Sequence, residues 1–230
     1  MIAVLAAMAE ELAPLRRGQD LEEIYSNKVV RVQSVKSGGR HLLLVQTGIG
    51  KANAAAAVTI VAEKFKPTAM IDIGSAGGFS GKVHVGDIVV GTDTAYHDVD
   101  ATCFGYKFGQ VPKMPAVYPA NDRLLAAAHR LAEMPEFAGI VRFGRILTSD
   151  SFMSDPERVR RAAAAFPEAF ASDMEGAAAA QAAYNLEIPF LNVRSISDIG
   201  GEDAAQSFDE NIDLAAERAA RFFSLLVEEI

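Results

Sequence analysis

The stretch AMIDIGSAGGF (residues 69–79) sets a short apolar run, 69–73, directly against a segment of glycine, serine and alanine. A run this short, bounded by such residues, reads as a buried strand. The glycines after it read as a turn at the strand end, whose N–H groups suit an anion or the face of a flat ring; an ordinary glycine-rich turn reads the same way. The pattern recurs outward in both directions. Residues 2–7 (IAVLAA) run into Met8 and an acidic helix start, and 41–46 (HLLLVQ) run into TGIGK. Further on, 87–96 (DIVVGTDTAY) end in HDVD, 144–148 (GRILT) in SDSF, and 189–197 (PFLNVRSIS) in DIGG.

Between these runs the spacing predicts helices over 51–65, 121–134, 155–165, 176–185 and 208–227. In the last, Ser207 and Glu210 have the spacing of a capping box, and Ile212, Ala215, Ala219, Phe222 and Leu226 mark one face. Residues 23–46 read as a hairpin turning at Ser37-Gly38-Gly39, with Val29, Val30, Val32 and Val35 on its first arm. Strands linked by helices, with one hairpin, imply an α/β fold around a mixed, largely parallel sheet. No linker, low-complexity tract or internal repeat interrupts this alternation, so one domain over 1–230 is the expectation.

Composition narrows the class of function. The chain has 230 residues, half of them apolar, enough for a large core. A net charge of −8 and an isoelectric point near 5.1 oppose binding to nucleic acid or to an anionic membrane. The start lacks a basic segment and meets Glu10 and Glu11 too early for a signal peptide, and no apolar stretch approaches the ~20 residues that span a bilayer. A single cysteine, Cys103, allows no intrachain disulfide and fits a cytoplasmic protein.

In open α/β sheets ligands sit beyond the carboxyl ends of the strands. Each run above ends in a distinctive tetrapeptide or pentapeptide, so Glu11, Gly48-Ile49-Gly50, Ser75-Ala76-Gly77, Phe152, Glu175 and Asp198 are expected on one rim. TGIGKAN lacks the four-residue gap and the hydroxyl of a P-loop and the third glycine of a dinucleotide fingerprint. It reads instead as a tight strand-to-helix turn. His97, Asp98 and Asp100 could ligate a metal, but no other cysteine or histidine has matching spacing, so no metal is expected. Asp173 and Glu175 flank Met174 before an alanine-rich helix; near a helix N-terminus such acids gain ~0.3–1 kcal/mol each from the macrodipole, or they serve chemistry. Asp198, closing an apolar strand, is partly desolvated, which raises its pKa and suits a general acid; a turn-starting Asp is the competing reading. Glu11, Glu175 and Asp198 together are what hydrolysis through an oxocarbenium-like transition state needs.

The segments AAMAEE, TGIGKANAAAA, IDIGSAGG, AYHDVDATCFGYKFGQVP, SDSFMSD, DMEGAAAAQ and VRSISDIGGEDAAQSFDE together resemble the 5′-methylthioadenosine/S-adenosylhomocysteine nucleosidases, members of the nucleoside phosphorylase superfamily. The resemblance implies a single three-layer α/β/α domain, usually homodimeric, that hydrolyses the N-glycosidic bond of 5′-thioadenosines without metal or organic cofactor. It implies that Asp198, assisted by Ser197, protonates adenine, that Glu11 activates water, and that Glu175, with the Met174 region, holds the ribose hydroxyls. Phe152 would stack on adenine and the Met153 backbone bond its edge, beside Ala76 and Gly77, with Ser75 and Arg194 near ribose and water. Met8, Ile49 and Phe208 would line the ribose and alkylthio end. Phe104 and Pro112 would cover the partner subunit's alkylthio pocket. Asp173 departs from the family's usual Glu, and its role stays open.

Sister phosphorylases carry cations for phosphate, one of them an Arg at the position of Asp72; an aspartate there would repel phosphate, so hydrolysis is expected. A futalosine-type nucleosidase shares the chemistry, and a non-catalytic nucleoside binder would lack one of the acids. Finally, 198–210, with its glycine pair, Glu202 and Asp203, reads as a lid that closes with Phe208 over the bound nucleoside.

Overall fold

The computed structural model describes residues 1–37, 40–201 and 203–230. Gly38 and Gly39 of the turn expected at Ser37-Gly38-Gly39, and the lid residue Glu202, lie outside the described residues. Strand β1 (Ile2–Ala6) lies at the middle of a ten-stranded sheet, parallel to β4 (Arg40–Gln46) on one side and β5 (Ala69–Gly78) on the other. Its side chains alternate as a doubly covered strand requires: Ile2, Val4 and Ala6 enter one core, Ala3 and Leu5 the other.

Helices cover both faces. On one side α1 (Ala9–Arg16), α3 (Asp122–Ala132) and α6 (Ala204–Glu229) pack over the sheet. On the other, α2 (Lys51–Phe65) packs on α5 (Gly176–Asn185). The alanines of α5 from Ala177 to Ala180 are all buried, since side chains that small let helix and sheet approach closely. The result is the expected three-layer α/β/α arrangement with a mixed sheet.

Beyond β4 the sheet ends in a meander, β3 (Arg31–Ser37) and then the edge strand β2 (Leu21–Ser26). The hairpin thus forms, but Val29 and Val30 precede its first arm, and β2 was not expected. Its sequence, LEEIYS, carries the charges typical of a solvated edge strand rather than an apolar run. At the other end the sheet curls. β10 (Phe190–Ile199) pairs with β5, β6 (Ile88–Tyr96) with β10, β8 (Val141–Thr148) with β6, and β9 (Ala169–Asp173) joins β8 back to β5. These five strands therefore close into a ring, filled by Ala76, Val83, Val89, Ile146, Ala171 and Ile196. The short β7 (Tyr118–Pro119) flanks β6, and α4 (Pro156–Ala165) caps the ring near Phe79, Leu147 and Met153.

Two expectations are corrected. GSAGG is not a turn: β5 continues through it, pairing with β10 as far as Gly78 and with β9 at Gly77 and Gly78. The last helix starts at Ala204, so Ser207 lies inside it and caps nothing; its hydroxyl donates to the Ser197 carbonyl at 3.1 Å. Most of the expected lid is therefore already helical.

Phe222 of α6 is fully buried and meets Phe137 edge to face at 5.1 Å between ring centroids. Phe222→Ala is expected to lower the unfolding free energy by ~3–5 kcal/mol, measured by urea denaturation.

Candidate active site

The ends of β1, β4, β5, β8, β9 and β10 and the first turns of α6 border one cavity of about 340 Å3. β1 delivers Met8 and, through the first turn of α1, Glu11. The Met8 N–H donates to Glu11 Oε2 at 3.1 Å, while the Ser75 N–H and hydroxyl donate to Oε1 at 2.9 and 3.0 Å. The Ser75 amide, read from sequence as open to a ligand, is thus already committed to a carboxylate. The small residues of β5 have a different purpose: a Cβ on Gly74 would overlap Arg194 Nη1 and Glu11 Oε1, and one on Gly77 would stand 2.9 Å from Asp198 Oδ2. Glycine here makes room for buried charge.

β4 ends in a true turn, with Gly48 and Gly50 at φ of +80° and +96°, a region open to glycine. Its amides also go to carboxylates: Gly50 N–H donates to Glu175 Oε1 at 2.8 Å and Lys51 N–H to Asp150 Oδ1 at 2.9 Å. Ile49 projects from this turn into the cavity.

β9 and the start of α5 place Asp173, Met174 and Glu175. Asp173 accepts four hydrogen bonds. Thr148 Oγ1 and Gly176 N–H reach Oδ1 at 2.5 and 3.0 Å, and Asn192 Nδ2 and Arg194 Nε reach Oδ2 at 2.9 Å each. It is a buried anchor for the α5 N-terminus, β8 and β10, which gives the departing residue a structural role. Glu175 keeps Oε2 for other partners. Its burial, with Asp173 and Glu11 nearby, outweighs the pull of Arg194 and pushes its pKa up to about 8.

On β10 the pairing with β5 slips between Ile196 and Asp198, a bulge. In a regular strand Ser197 and Asp198 would face opposite sides; here both line the cavity. Ser197 Oγ donates to Asp198 Oδ1 at 2.8 Å. Burial raises the Asp198 pKa, against that hydrogen bond. Phe152 and Met153 follow β8, and Phe208 of α6 meets Phe152 edge to face at 5.9 Å.

Met8, Glu11, Ile49, Ser75, Ala76, Gly77, Phe152, Met153, Met174, Glu175, Ser197, Asp198 and Phe208 thus come together as expected. Three nominated residues do not line this cavity. Arg194 lies behind its wall, 1% exposed, bonded to Asp72 Oδ2 at 2.7 Å and to Asp173. Phe104 is 80% exposed and Pro112 is exposed too, both on the segment between β6 and β7. Asp72 also stands behind the wall as the partner of Arg194, so it does not face a ligand directly. Ser172 and Asp209 line the cavity and were not nominated; a serine beside an acid pair and an acid on a helix carry no distinguishing sequence signal. His97, Asp98 and Asp100 turn to different partners, respectively Ser172, Lys51 and Thr102.

An α/β/α fold with a carboxylate-rimmed cavity at its strand ends is the architecture of the phosphorylase superfamily, whose profile matches residues 1–228. Within it, a 5′-methylthioadenosine/S-adenosylhomocysteine nucleosidase of Bacillus cereus is 42% identical over 100% of this chain and 99% of its own length. The crystal structure of the nucleosidase of that name from Neisseria meningitidis, in complex with methylthio-immucillin-A, superposes with a TM-score of 0.95 at 38% identity, covering 100% of this chain and 99% of that one. The Streptococcus pneumoniae MTA/SAH nucleosidase in complex with 8-aminoadenine gives 0.90 at 34% identity, with 100% and 99% covered. The chain belongs to the 5′-methylthioadenosine/S-adenosylhomocysteine nucleosidase family of that superfamily.

The raised pKa of Glu175 has a consequence for stability. A carboxyl group that holds its proton more tightly when folded favours the folded state at low pH and loses that contribution as pH rises through the folded value. Glu175→Gln, which cannot ionise, is expected to gain on the wild type by up to about 1.4 kcal/mol per pH unit between the ordinary carboxylate range and about pH 8. Denaturant melts of both proteins from pH 4 to 9 check this; parallel curves would show that Glu175 titrates normally.

Proposed function

We propose that this cavity hydrolyses the N-glycosidic bond of 5′-methylthioadenosine and S-adenosylhomocysteine, and also of 5′-deoxyadenosine, releasing adenine and the 5′-substituted ribose. The observation that carries the reading is a cavity lined by acids and by no described cation. Glu11, Glu175 and Asp198 converge on it from three elements, and no lysine or arginine is among its described lining residues. A phosphate nucleophile would find no cation there to hold it, whereas water is neutral and needs none. The guanidinium of Arg194 is already matched by Asp72 and Asp173.

In this mechanism adenine lies against Phe152, Ala76 and Gly77, with the Met153 backbone at its edge. Burial raises the Asp198 pKa and so favours its protonated form; Asp198 passes its proton to the ring nitrogen as the bond to the sugar weakens, and Ser197 orients it. Glu175 has Oε1 fixed by Gly50 and offers Oε2 to the ribose hydroxyls, beside Met174. Glu11, held by Ser75 and Met8, takes the proton of the attacking water. Met8, Ile49 and Phe208 give the 5′ substituent an apolar surround. The reaction calls for no metal or organic cofactor.

Residues 1–230 act as one nucleosidase domain in this reading, and Phe104 and Pro112, unused by their own cavity, cover the 5′ end of the partner subunit's in a homodimer. No helix among the described residues is long and apolar enough to cross a membrane, and the acidic surface offers nothing to nucleic acid; the cytoplasm is the proposed location.

With methylthioadenosine as substrate, free methylthioribose is the expected product whether or not phosphate is present. Ribosyl phosphate rising with added phosphate would contradict this. Asp198→Asn is expected to lower turnover by ~10²–10⁴ while the circular dichroism spectrum and melting cooperativity are retained; near-normal turnover would assign the proton to another group.

A further inference from the structure

Behind the cavity wall Arg194 meets more acid than it can match. Asp72 from β5, Asp173 from β9, Glu175 at the α5 N-terminus and Glu11 from α1 all surround it. The proposed reaction uses Glu11 and Glu175 and leaves Asp72, which is 2% exposed, without a role.

The geometry around one nitrogen supplies that role. Arg194 Nη2 donates to Asp72 Oδ2 at 2.7 Å and stands 4.0 Å from Glu175 Oε2. A single donor group thus lies between two carboxylates and is bonded to the one outside the cavity. Arg194 Nε is fixed on Asp173 Oδ2 at 2.9 Å, so the planar fork can only pivot about that edge. Pivoting one way keeps Asp72; pivoting the other closes on Glu175. Because Glu175 Oε1 is taken by the Gly50 amide, Oε2 is the oxygen left for substrate.

We propose that Asp72 is a positioning residue: by holding Arg194 Nη2 it keeps Glu175 Oε2 free for the sugar hydroxyls of the nucleoside. The inference rests on the nucleosidase reading above. A carboxylate is suited to this task because a charge-assisted bond is about twice as strong as a neutral one; burial pushes the Asp72 pKa up to about 7 and that of Glu175 further, to about 8, so Asp72 is the readier of the two to ionise and hold the guanidinium. An amide at position 72 loses that competition. The fork then turns to Glu175, which binds sugar less well and gives up its proton more readily.

The test is Asp72→Asn, assayed for methylthioadenosine hydrolysis and for inhibition by adenine, which has no sugar. The KM for methylthioadenosine is expected to rise about tenfold, the scale of one charge-assisted hydrogen bond, with a smaller change in kcat. The Ki of adenine stays at the wild-type value. The acidic limb of kcat/KM moves to lower pH, since Arg194 then opposes Asp173 and Glu11 more strongly at Glu175. Equal weakening of both ligands, as from general loosening of the fold, overturns the proposal, and so does no change in either. A crystal structure of the wild type with a methylthioadenosine analogue decides the matter if the variant does not fold. Arg194 Nη2 remaining on Asp72, with Glu175 Oε2 on a ribose hydroxyl, supports the proposal; Nη2 on Glu175 overturns it. Failure of the nucleosidase reading looks different, because the wild type itself would then release no adenine.

Discussion

The guanidinium of Arg194 is the charge around which the site is built. Burying a cation costs several kcal/mol even after relaxation, and it is tolerated here because Asp72 and Asp173 bond to it directly while Glu175 stands 4.0 Å away. Those acids come from different places in the chain, so satisfying one cation ties β5, β9, β10 and the α5 N-terminus together. Gly74 and Gly176 follow from the same requirement. A Cβ at the first would overlap Arg194 and Glu11, and at the second Asn192 and Asp173.

This explains why the glycines of 74–78 look like a turn and are not one. The sequence signal, small residues after an apolar run, is common to a chain reversal and to a strand that must pass beside bulky buried side chains. Only the partners distinguish them, and the partners, Arg194 and Glu11, are far away in sequence. In the same way Asp173 and Glu175 look like a pair of acids placed for the α5 dipole. Asp173 does receive the Gly176 amide, yet three of its four bonds come from β8 and β10. Local pattern located both residues and left their partners unread.

Much of the frame was legible because it is local. The bounds of α2 and α5 coincide with their alanine-rich patterns, and the rule that ligands gather at carboxyl ends put Glu11, Ile49, Ser75, Ala76, Gly77, Phe152, Glu175 and Asp198 on one rim, where a single cavity holds them; Met8, Met153, Met174, Ser197 and Phe208, nominated through the resemblance, line it too. What was not legible depends on pairing at a distance. β9 (AFASD) has little β propensity and forms because β8 and β5 flank it; ring closure through β5 and β10, and the bulge at Ser197, are likewise long-range. The start of α6 lies at Ala204, ahead of the expected capping pair Ser207 and Glu210, and the Ser207 hydroxyl goes to the Ser197 carbonyl, a partner ten residues back that a local pattern does not show. Phe104 and Pro112 lie apart from the cavity of their own chain.

The excess of acid over base around Arg194 has three effects with one cause. Glu11, Asp72, Asp173 and Glu175 outnumber the one cation, and low dielectric leaves that imbalance poorly screened. The negative potential in the cavity opposes an entering anion, which disfavours phosphate. It favours the positive charge that a sugar develops as its bond to a base stretches. It also adds to burial in raising the proton affinity of Glu175. Asp198, set apart by the bulge, has its pKa raised by burial, with only Ser197 opposing, and without drawing on this cluster. In the proposed mechanism, proton donation to the base and charge stabilisation at the sugar thus fall to different carboxylates. Water attack needs a third, Glu11, whose oxygens are fixed by Met8 and Ser75 rather than by Arg194. Each acid of the proposed mechanism therefore has its own anchor, backbone N–H groups for Glu11 and Glu175 and the Ser197 hydroxyl for Asp198, and the guanidinium sets the field in which Glu11 and Glu175 act.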